Sequence, residues 1–526
     1  MSIQTSLARL RAQHNLTQEK LAEQLQISRQ AVQKWESGAG MPDLDNIIKI
    51  AKRFGVTIDA LVLGSDRRIC EELRQGETLQ PEYSAMHAWE SYAANLMTEF
   101  QQCQEEGLDI APYESLFSAV SQLPAGAFKA RLADLLFDLT RALPAKSNVR
   151  YDEPSDLESI RALSTNAFQP AAPLPERQTL LEHISGAWLG RIAGCLLGKP
   201  IEGIHTEELH PLLKESGNWP MHRYILYTDI TPEMRQRFSF RLENRPFADT
   251  VSCAPMDDDT NYTVLAQALL DRCGRDFTPG DVAQIWLDLQ PKKAYCTAER
   301  VAYCNFVKGF QPPASAQWQN PYREWIGAQI RGDYFGYINP GDPVTAAEMA
   351  WRDACISHVK NGIYGEMFVA AIIAQAAVEQ DIPTLIQAGL GQIPTTSRLY
   401  EAISRILDGY RKGVSAQTCM AGIRQMYDEH TSHGWCHTIS NAMIVTYALL
   451  YGGGDYGTSI CMAVQAGYDT DCNGATVGSI LGMRGGSAAI YEKWTAPLRG
   501  TLATSIFDMP QISIQEAVQK TMSHLP

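Results

Sequence analysis

Apolar residues recur at helical spacing through the first 65 residues, in short stretches that are separated by tight turns. Leu7 and Leu10 begin one apolar stripe, and Leu21 and Leu25 form the next. Thr17 stands at the position of an N-cap before that second stripe. The pattern predicts a small bundle of four or five short helices over residues 1–66.

A second capping residue, Ser28, precedes a helix with its apolar face at Ala31, Val32 and Trp35. Two helices joined by a short turn, the second opening with amide and cationic side chains, have the geometry of a helix-turn-helix. Such side chains can bind base edges, and a capped helix N-terminus suits a phosphate. The predicted DNA-contacting residues are Gln18, Arg29, Gln30, Gln33 and Lys34.

The stretch LTQEKLAEQLQISRQAVQKWESGAGMPDLDNIIKIAKRFGVTIDALV resembles the Cro/C1 repressor type of helix-turn-helix, and the resemblance covers residues 5–64. It implies sequence-specific DNA binding, usually by a homodimer. The alternative is a protein-binding helical domain whose polar face is only solvated.

Helical periodicity continues over residues 86–106 and 113–143. It predicts a helical hairpin within residues 67–145, which serves either as a spacer or as a dimerisation element. Residues 146–178 contain several prolines among mixed polar residues, and we expect a linker without a regular element there.

Beyond residue 178 the pattern is again mostly helical, and the fold class that we expect is all-α. Glycines fall four residues apart at positions 186, 190, 194 and 198, and again at 474, 478 and 482. This spacing places each set on one face of a helix, where every glycine costs about 1 kcal/mol relative to alanine. The sequence therefore predicts two helices whose backbones approach closely and bring Glu202 toward Asp469 and Asp471.

Charge divides the chain unevenly. The net charge is −14, yet residues 1–68 carry ten Lys/Arg and seven Asp/Glu, while the remainder carries 35 and 52. A mildly basic head on an acidic body fits a DNA-binding domain joined to an unrelated domain.

No apolar run of 18 residues and no apolar signal core occur, and the twelve cysteines form no Cys-x-x-Cys pair. We expect a cytoplasmic protein with reduced thiols and no membrane contact.

Five aspartates lie in two short clusters within otherwise apolar sequence: Asp257, Asp258 and Asp259 in PMDDDTNYTVL, and Asp469 and Asp471 in AGYDTDCNG. Crowded carboxylates repel one another, and a hard divalent cation with oxygen ligands relieves that repulsion. A calcium loop of the EF-hand type would need a glutamate at position 480, which is Ile480. Helix capping explains only one of the three consecutive aspartates.

The order of these motifs resembles the ADP-ribosylglycohydrolases over roughly residues 180–500: a glycine-striped helix ending in Pro-x-Glu, Asp-Asp-Thr opening a helix, Ser-His before a small-residue helix, and G-x-DTD-x-x-x-A-x-x-G. The resemblance implies an all-α bundle, here residues 179–526, that holds two divalent cations, Mg²⁺ or Mn²⁺. It implies metal ligands at Asp257, Asp258, Asp259, Asp469, Asp471 and Cys472, and catalytic roles for Glu202, Asp258 and Asp259.

The resemblance further implies a substrate loop in RGDYFGYINPG and a histidine near the diphosphate or ribose. The substrate-binding residues that it implies are Gly332, Phe335, Gly336, Tyr337 and His358. Two positions depart from the family pattern, since Asp257 and Cys472 stand where a hydroxyl residue is usual. A thiol is a poor ligand for a hard cation, so Cys472 weakens the expected second ion site.

Two functions follow from these motifs. In the first, the chain hydrolyses an N- or O-glycosidic bond to ADP-ribose, with Glu202 or an aspartate as general acid/base. In the second, it is a transcriptional regulator whose glycohydrolase-like domain senses ADP-ribose, NAD or a related nucleotide with little or no catalysis.

Overall fold

The computed structural model of the chain describes residues 3–14, 16–54, 56, 58, 61, 87–165, 173–238, 242 and 244–526. The chain divides into two compact units, residues 1–82 (the head) and 83–526 (the larger unit). Both are helical, which confirms the all-α fold class. Among the described residues, no helix has the length and apolar character needed to span a bilayer.

The head contains four helices among its described residues, and their apolar faces meet around Leu7, Leu21 and Val32, which are fully buried. The predicted N-caps are confirmed, because Thr17 Oγ1 accepts from the Lys20 amide and Ser28 Oγ from the Ala31 amide, each at 3.2 Å. The helices span Ile3–Gln13, Gln18–Leu25, Arg29–Ser37 and Leu44–Phe54. Residues 59 and 60 and the predicted domain boundary at residues 66 and 67 lie outside the described residues.

Residues 87–163 form the first part of the larger unit. Helices Leu96–Glu105, Glu114–Ser121 and Ala127–Ala142 bury their own apolar cluster, which includes Phe100, Phe117 and Phe137. The short 3₁₀ turns of this part are Ala88–Glu90, Tyr92–Ala94 and Ala111–Tyr113.

The expectation of a linker without regular structure over residues 146–178 needs correction. Asp156 caps a helix, Leu157–Leu163, and Ile160 of that helix is fully buried in the main core. The burial of Ile160 and the N-cap at Asp156 stabilise this helix despite the prolines on either side of it. Residues 166–172 of the predicted linker lie outside the described residues.

The remainder of the larger unit is a layered helical bundle with one antiparallel pair of strands, Thr501–Ile506 and Met509–Ser513. Its helices up to residue 354 are Arg177–Gly198, Thr206–Glu215, Pro232–Arg237, Asp258–Cys273, Pro279–Leu289, Thr297–Val307, Ala314–Gln317, Asp333–Tyr337 and Pro343–Ala354. Those that follow are Lys360–Ala376, Ile382–Leu390, Arg398–Arg411, Ala416–Met426, Ser432–Cys436, Thr438–Tyr451, Tyr456–Gln465, Thr470–Gly485, Glu492–Thr495 and Ile514–Ser523. Short 3₁₀ turns lie at Lys199–Ile201, Tyr227–Asp229, Lys292–Ala294, Ser487–Ala489 and Ala496–Leu498.

Helices Arg177–Gly198 and Thr470–Gly485 form the glycine helix pair at the centre of this bundle. A Cβ added at Gly186, Gly190 or Gly194 would overlap the carbonyl oxygen of the facing glycine, which is Gly482, Gly478 or Gly474 respectively. The predicted close approach of the two backbones is therefore confirmed. The pair brings the end of the first helix beside the beginning of the second.

Candidate active site

Six carboxylates gather where three helix ends meet, and we call them the acidic cluster: Glu202, Asp257, Asp258, Asp259, Asp469 and Asp471. Glu202 follows the turn at the end of the first glycine helix, and Asp469 is the N-cap of the second. Asp257 is the N-cap of helix Asp258–Cys273, and its Oδ1 accepts from the Asp259 amide at 2.9 Å. Two of the three helix ends are N-termini, where the helix dipole favours negative charge.

The two aspartate motifs, more than 200 residues apart in sequence, lie side by side. Asp259, Asp471 and Cys472 place ligand atoms within 4.8 Å of one another, and so do Glu202, Asp469 and Asp471. A third group, formed by Cys195, Asp257 and Asp259, meets the same limit. The predicted convergence of Glu202, Asp469 and Asp471 is confirmed.

The acidic cluster is buried, and its charges oppose one another. Asp259 is 0% and Asp471 3% exposed, whereas Glu202 and Asp258 are half-buried at the edge of the cluster. Burial raises the pKa of Asp258, Asp259, Asp469 and Asp471, and neighbouring carboxylates raise it further. The charge of Asp471, followed by burial, raises the pKa of Glu202 well above its usual range. Such shifts are expected where like charges share a desolvated site.

Two oxygens within the acidic cluster lack a partner. Asp259 Oδ2 and Asp471 Oδ1 are buried and accept no hydrogen bond from any residue that the structure describes. A buried carboxylate oxygen without a donor costs free energy unless a cation satisfies it. Oxygen ligands from several carboxylates at these separations suit a hard divalent cation, so the residues present fit the metal that the resemblance implies.

Two basic residues, one within the first glycine helix and one directly after it, enter the acidic cluster, and no sequence motif predicted either of them. Arg191 pairs with Asp259 at 3.2 Å and with Asp333 at 2.9 Å, and Lys199 contacts Asp257. Burial lowers the pKa of Lys199, but Asp257 and Asp471 raise it well above its usual range. The sequence does distinguish Arg191, because it is the only charged residue in the run 184–198.

Thiols surround the carboxylates. Cys195 and Cys472 lie within the ligand groups named above, and Cys436 Sγ is 3.8 Å from Asp469 Oδ2. Burial, followed by the neighbouring aspartates, raises the pKa of all three well above its usual range. They are therefore protonated thiols at neutral pH, and a protonated thiol is a weak metal ligand.

The loop in which the resemblance implies substrate binding is buried. Phe335 and Tyr337 are fully buried, and the Tyr337 hydroxyl lies 2.7 Å from Ser479 Oγ. A Cβ at Gly332 would lie 2.7 Å from the Glu366 carbonyl oxygen, and one at Gly336 would lie 2.6 Å from Ile373. Gly332 and Gly336 thus pack closely against helix Lys360–Ala376, and substrate binding by this loop stays a prediction.

His358 is also buried, and its contact with a substrate stays a prediction. It is 1% exposed, and its Nδ1 lies 2.8 Å from Ser357 Oγ. Burial and the charge of Arg331 hold its pKa well below the usual range. Its neighbour Glu299 pairs with Arg331 at 2.9 Å, and burial raises the pKa of Glu299 to about 7. The histidine in the family-like motif therefore joins a buried ionic network.

A group outside the sequence predictions also has metal-like spacing, namely Glu105, His433 and His437, but its hydrogen bonds assign it another role. Trp325 Nε1 donates to His433 Nδ1 at 3.3 Å, and the Ile439 amide donates to His437 Nδ1 at 3.1 Å. In both rings Nδ1 accepts a hydrogen bond, and Nε2 lies 2.9 Å (His433) and 3.6 Å (His437) from the Glu105 carboxylate. The two histidines thus lie against a carboxylate that also pairs with Arg398.

Four of the five predicted DNA-contacting residues lie on one exposed face of the head: Arg29, Gln30, Gln33 and Lys34. All four belong to helix Arg29–Ser37. Gln18 differs, because its side chain is half-buried and donates to Glu36 at 2.8 Å. Glu36 also pairs with Arg11 at 2.7 Å, so Gln18 is engaged within the head.

Two family models match different parts of the chain. The family model described as ADP-ribosylglycohydrolase matches residues 176–521, and the model described as helix-turn-helix matches residues 7–61. A solved structure titled ADP-ribosylglycohydrolase-related protein complex superposes with a TM-score of 0.42 at 17% identity, covering 66% of this chain and 98% of that one.

Three curated relatives, all transcriptional regulators by their names, each match a short part of the chain. The HTH-type transcriptional activator BcrR of Enterococcus faecalis is 41% identical over 87 residues, which are 16% of this chain and 43% of that protein. The transcriptional repressor RstR of the cryptic phage CTXphi in Vibrio cholerae is 39% identical over 61 residues, 12% of this chain and 54% of that protein. An uncharacterised HTH-type transcriptional regulator of Methanocaldococcus jannaschii is 48% identical over 56 residues, 11% of this chain and 85% of that protein. The chain thus spans about half the length of the first two.

Proposed function

The chain belongs to the ADP-ribosylglycohydrolase family through residues 176–521, and we propose that it is a hydrolase that cleaves an N- or O-glycosidic bond to ADP-ribose with the help of a divalent cation, Mg²⁺ or Mn²⁺. The helix-turn-helix head, similar to transcriptional regulators, would bind DNA. A homodimer that reads two half-sites stays a prediction.

The observation that carries the hydrolase proposal is the acidic cluster with its two buried, unpartnered carboxylate oxygens. Asp259, Asp469 and Asp471 would hold the cation. When bound, the cation supplies positive charge at the scissile bond and makes a water molecule easier to deprotonate.

The protein groups that a substrate can reach are the half-buried carboxylates at the edge of the cluster, Glu202 and Asp258. Met256, which precedes the first aspartate motif in sequence, is 50% exposed. We assign Glu202 as the general acid/base that gives a proton to the leaving group, with Asp258 as its partner. Asp259, fully buried and paired with Arg191, would position the cation.

The hydrolase proposal is tested by incubating the full-length protein with ADP-ribosylated arginine and serine peptides in Mg²⁺ or Mn²⁺ and measuring released ADP-ribose by chromatography. Release should require the cation and should fall at least about 100-fold in Glu202→Gln, the usual scale for a lost general acid. The proposal fails if no ADP-ribose is released from any substrate while free ADP-ribose still binds.

That failure would favour the second candidate, a regulator whose larger unit senses ADP-ribose, NAD or a related nucleotide. Two observations support it: the thiol of Cys472 inside a ligand group, and the exposed polar face of helix Arg29–Ser37 in the head.

DNA binding by the head is tested separately by selecting genomic fragments on the full-length protein and measuring the affinity of an enriched fragment. Gln30→Ala and Gln33→Ala should each weaken specific binding by about 1–3 kcal/mol, the value of a bidentate contact to a base. Gln13→Ala, an exposed glutamine of helix Ile3–Gln13, serves as the control and should bind as the unaltered protein does. An absence of any enriched fragment would contradict sequence-specific binding.

A further inference from the structure

The ammonium group of Lys199 lies inside the acidic cluster, between the two aspartate motifs. Lys199 opens the turn Lys199–Ile201 at the end of the first glycine helix. Its Nζ contacts Asp257 Oδ2 and lies 3.9 Å from Asp471 Oδ2. Its side chain is 22% exposed, while that of Asp257 is 0% exposed. A protein cation therefore stands between Asp257 and Asp471, where an ion held by both of these carboxylates would otherwise bind.

The carboxylates on the two sides of this ammonium differ in how they are satisfied. Both oxygens of Asp257 are engaged, Oδ1 by the Asp259 amide and Oδ2 by Lys199. Asp259 and Asp471 each keep one buried oxygen without a donor among the described residues. The need for an added cation is thus concentrated on Asp259 and Asp471, away from Asp257.

Arg191 strengthens this asymmetry. Its guanidinium donates to the Asp259 backbone oxygen at 2.7 and 2.9 Å and pairs with Asp259 Oδ1 at 3.2 Å. Since these contacts fix one carboxylate oxygen of Asp259, Oδ2 is the oxygen left for an ion. Asp471, which belongs to two of the ligand groups, is the natural second ligand.

We infer that Lys199 takes the place of one of the two ions, so that the site binds a single divalent cation on Asp259 and Asp471, with Asp469 beside them, while the ammonium neutralises Asp257. This inference rests on the proposed function of the acidic cluster as a cation site. An ammonium carries one charge and three N–H donors, so it can hold a substrate oxygen by hydrogen bonds but offers no coordination shell. Asp257 then serves as a helix cap and as the partner of Lys199 rather than as a metal ligand.

The test is the number of Mn²⁺ ions that the full-length, chelator-stripped protein binds, measured by equilibrium dialysis, with electron paramagnetic resonance to detect coupled pairs of ions. Ions bound elsewhere on the acidic surface are removed from the count by subtracting the value for Asp471→Asn. We expect one ion at the acidic cluster of the unaltered protein and two coupled ions in Lys199→Met. Lys308→Met, which removes an exposed lysine of the same unit, should bind one.

Each outcome decides something. Two ions in the unaltered protein, both lost in Asp471→Asn, would overturn the role of Lys199 and leave the proposed cation site standing. One ion in both the unaltered protein and Lys199→Met would also overturn it, because Lys199 would not be what excludes the second ion. The count of the unaltered protein needs no variant, and Lys199→Gln replaces Lys199→Met if circular dichroism shows that the latter does not fold. No ion in any variant would contradict the proposed cation site itself.

Discussion

The larger unit contains two groups of carboxylates that differ in how many cationic and hydrogen-bonding partners they have. In the first, which we call the paired cluster, Glu105, Glu153 and Glu324 all contact Arg398, at 3.0, 2.9 and 2.6 Å. Asn361 and Gln102 donate to Glu324, and His433 approaches Glu105. In the acidic cluster, Arg191 pairs with Asp259 and Lys199 with Asp257 and Asp471, and two buried oxygens have no donor among the described residues.

The pKa values follow this difference. Burial alone would raise the pKa of Glu105, but His433, His437 and Arg398 lower it to about 2. The pKa of Glu324 is likewise lowered, chiefly by Arg398 against the effect of burial. In Asp259 and Asp469 burial prevails, and the pKa is raised. Glu324 and Asp259 are both 0% exposed, so it is their unequal partners that separate a structural ion network from a site that is built to receive a cation.

The paired cluster also shows why residues 87–163 belong to the larger unit. Glu105 and Glu153 come from this segment, whereas Glu324 and Arg398 come from the region matched to the family. We propose on this basis that the segment is part of the functional larger unit rather than a free spacer.

The largest expected effect comes from removing the shared cation of the paired cluster. Arg398→Met leaves the buried Glu153 and Glu324 and the partly exposed Glu105 without their guanidinium and should lower the free energy of unfolding by about 3–5 kcal/mol. Urea denaturation of the full-length protein measures it. Arg405→Met is the matched control, because Arg405 lies on the same helix in an exposed pair with Glu401 and should change stability by less than about 1 kcal/mol. Equal effects of the two changes would mean that the network stabilises nothing.

A smaller loss is expected from the glycine helix pair, which assembles the acidic cluster. Gly194→Ala places a methyl group against the Gly474 carbonyl and should cost about 1–3 kcal/mol while weakening Mn²⁺ binding. Gly422→Ala, in a helix with open space at that position, should be neutral or stabilise by up to about 1 kcal/mol. Unchanged stability and Mn²⁺ affinity in Gly194→Ala would show that the close approach is not needed.

Deleting a charge in the acidic cluster should raise the free energy of unfolding, whereas the two changes above should lower it. Without a divalent cation, Asp469→Asn removes one of several repelling charges and should raise the free energy of unfolding by about 1 kcal/mol. Urea denaturation in a chelator checks this. A loss of stability as in Arg398→Met would mean that the carboxylates of the two clusters are equally well satisfied.

The smallest effect is a pH dependence of the paired cluster. Burial and His433 lower the pKa of His437 to about 3, and Glu105, Glu324 and Arg398 also face its ring, on which Tyr427 stacks. The folded state keeps His437 neutral while the unfolded chain binds a proton below pH 6.5, so this contribution is present above 6.5 and is lost as pH falls toward 3. Between pH 7 and 5.5 the loss should be about 1 kcal/mol.

His437→Asn keeps an acceptor for the Ile439 amide and removes the titrating ring. Its loss of stability between the two pH values should be smaller than that of the unaltered protein by this amount. Identical losses would show that His437 is not the group responsible.

Local sequence patterns predicted the acidic cluster but not the paired cluster. The glycine spacing and the two aspartate motifs are local patterns, and they were enough to place Asp469 and Asp471 beside Glu202. The partners of Arg398 come from three separate segments with ordinary local sequence, so no sequence motif predicted the paired cluster. Lys199 was overlooked because its contact with Asp257 exists only after folding. The glycines of RGDYFGY fit a family motif, yet close packing against Lys360–Ala376 explains them, which a motif alone does not reveal.

The most direct test of the cation site is the thermal unfolding of the full-length protein in a chelator and in Mn²⁺. If the acidic cluster binds the ion, Mn²⁺ at about 100 times its dissociation constant should stabilise the larger unit by about 2.7 kcal/mol, and Asp471→Asn should abolish this gain. The account would be contradicted if Mn²⁺ left the unfolding temperature of the unaltered protein unchanged, or raised it equally in Asp471→Asn.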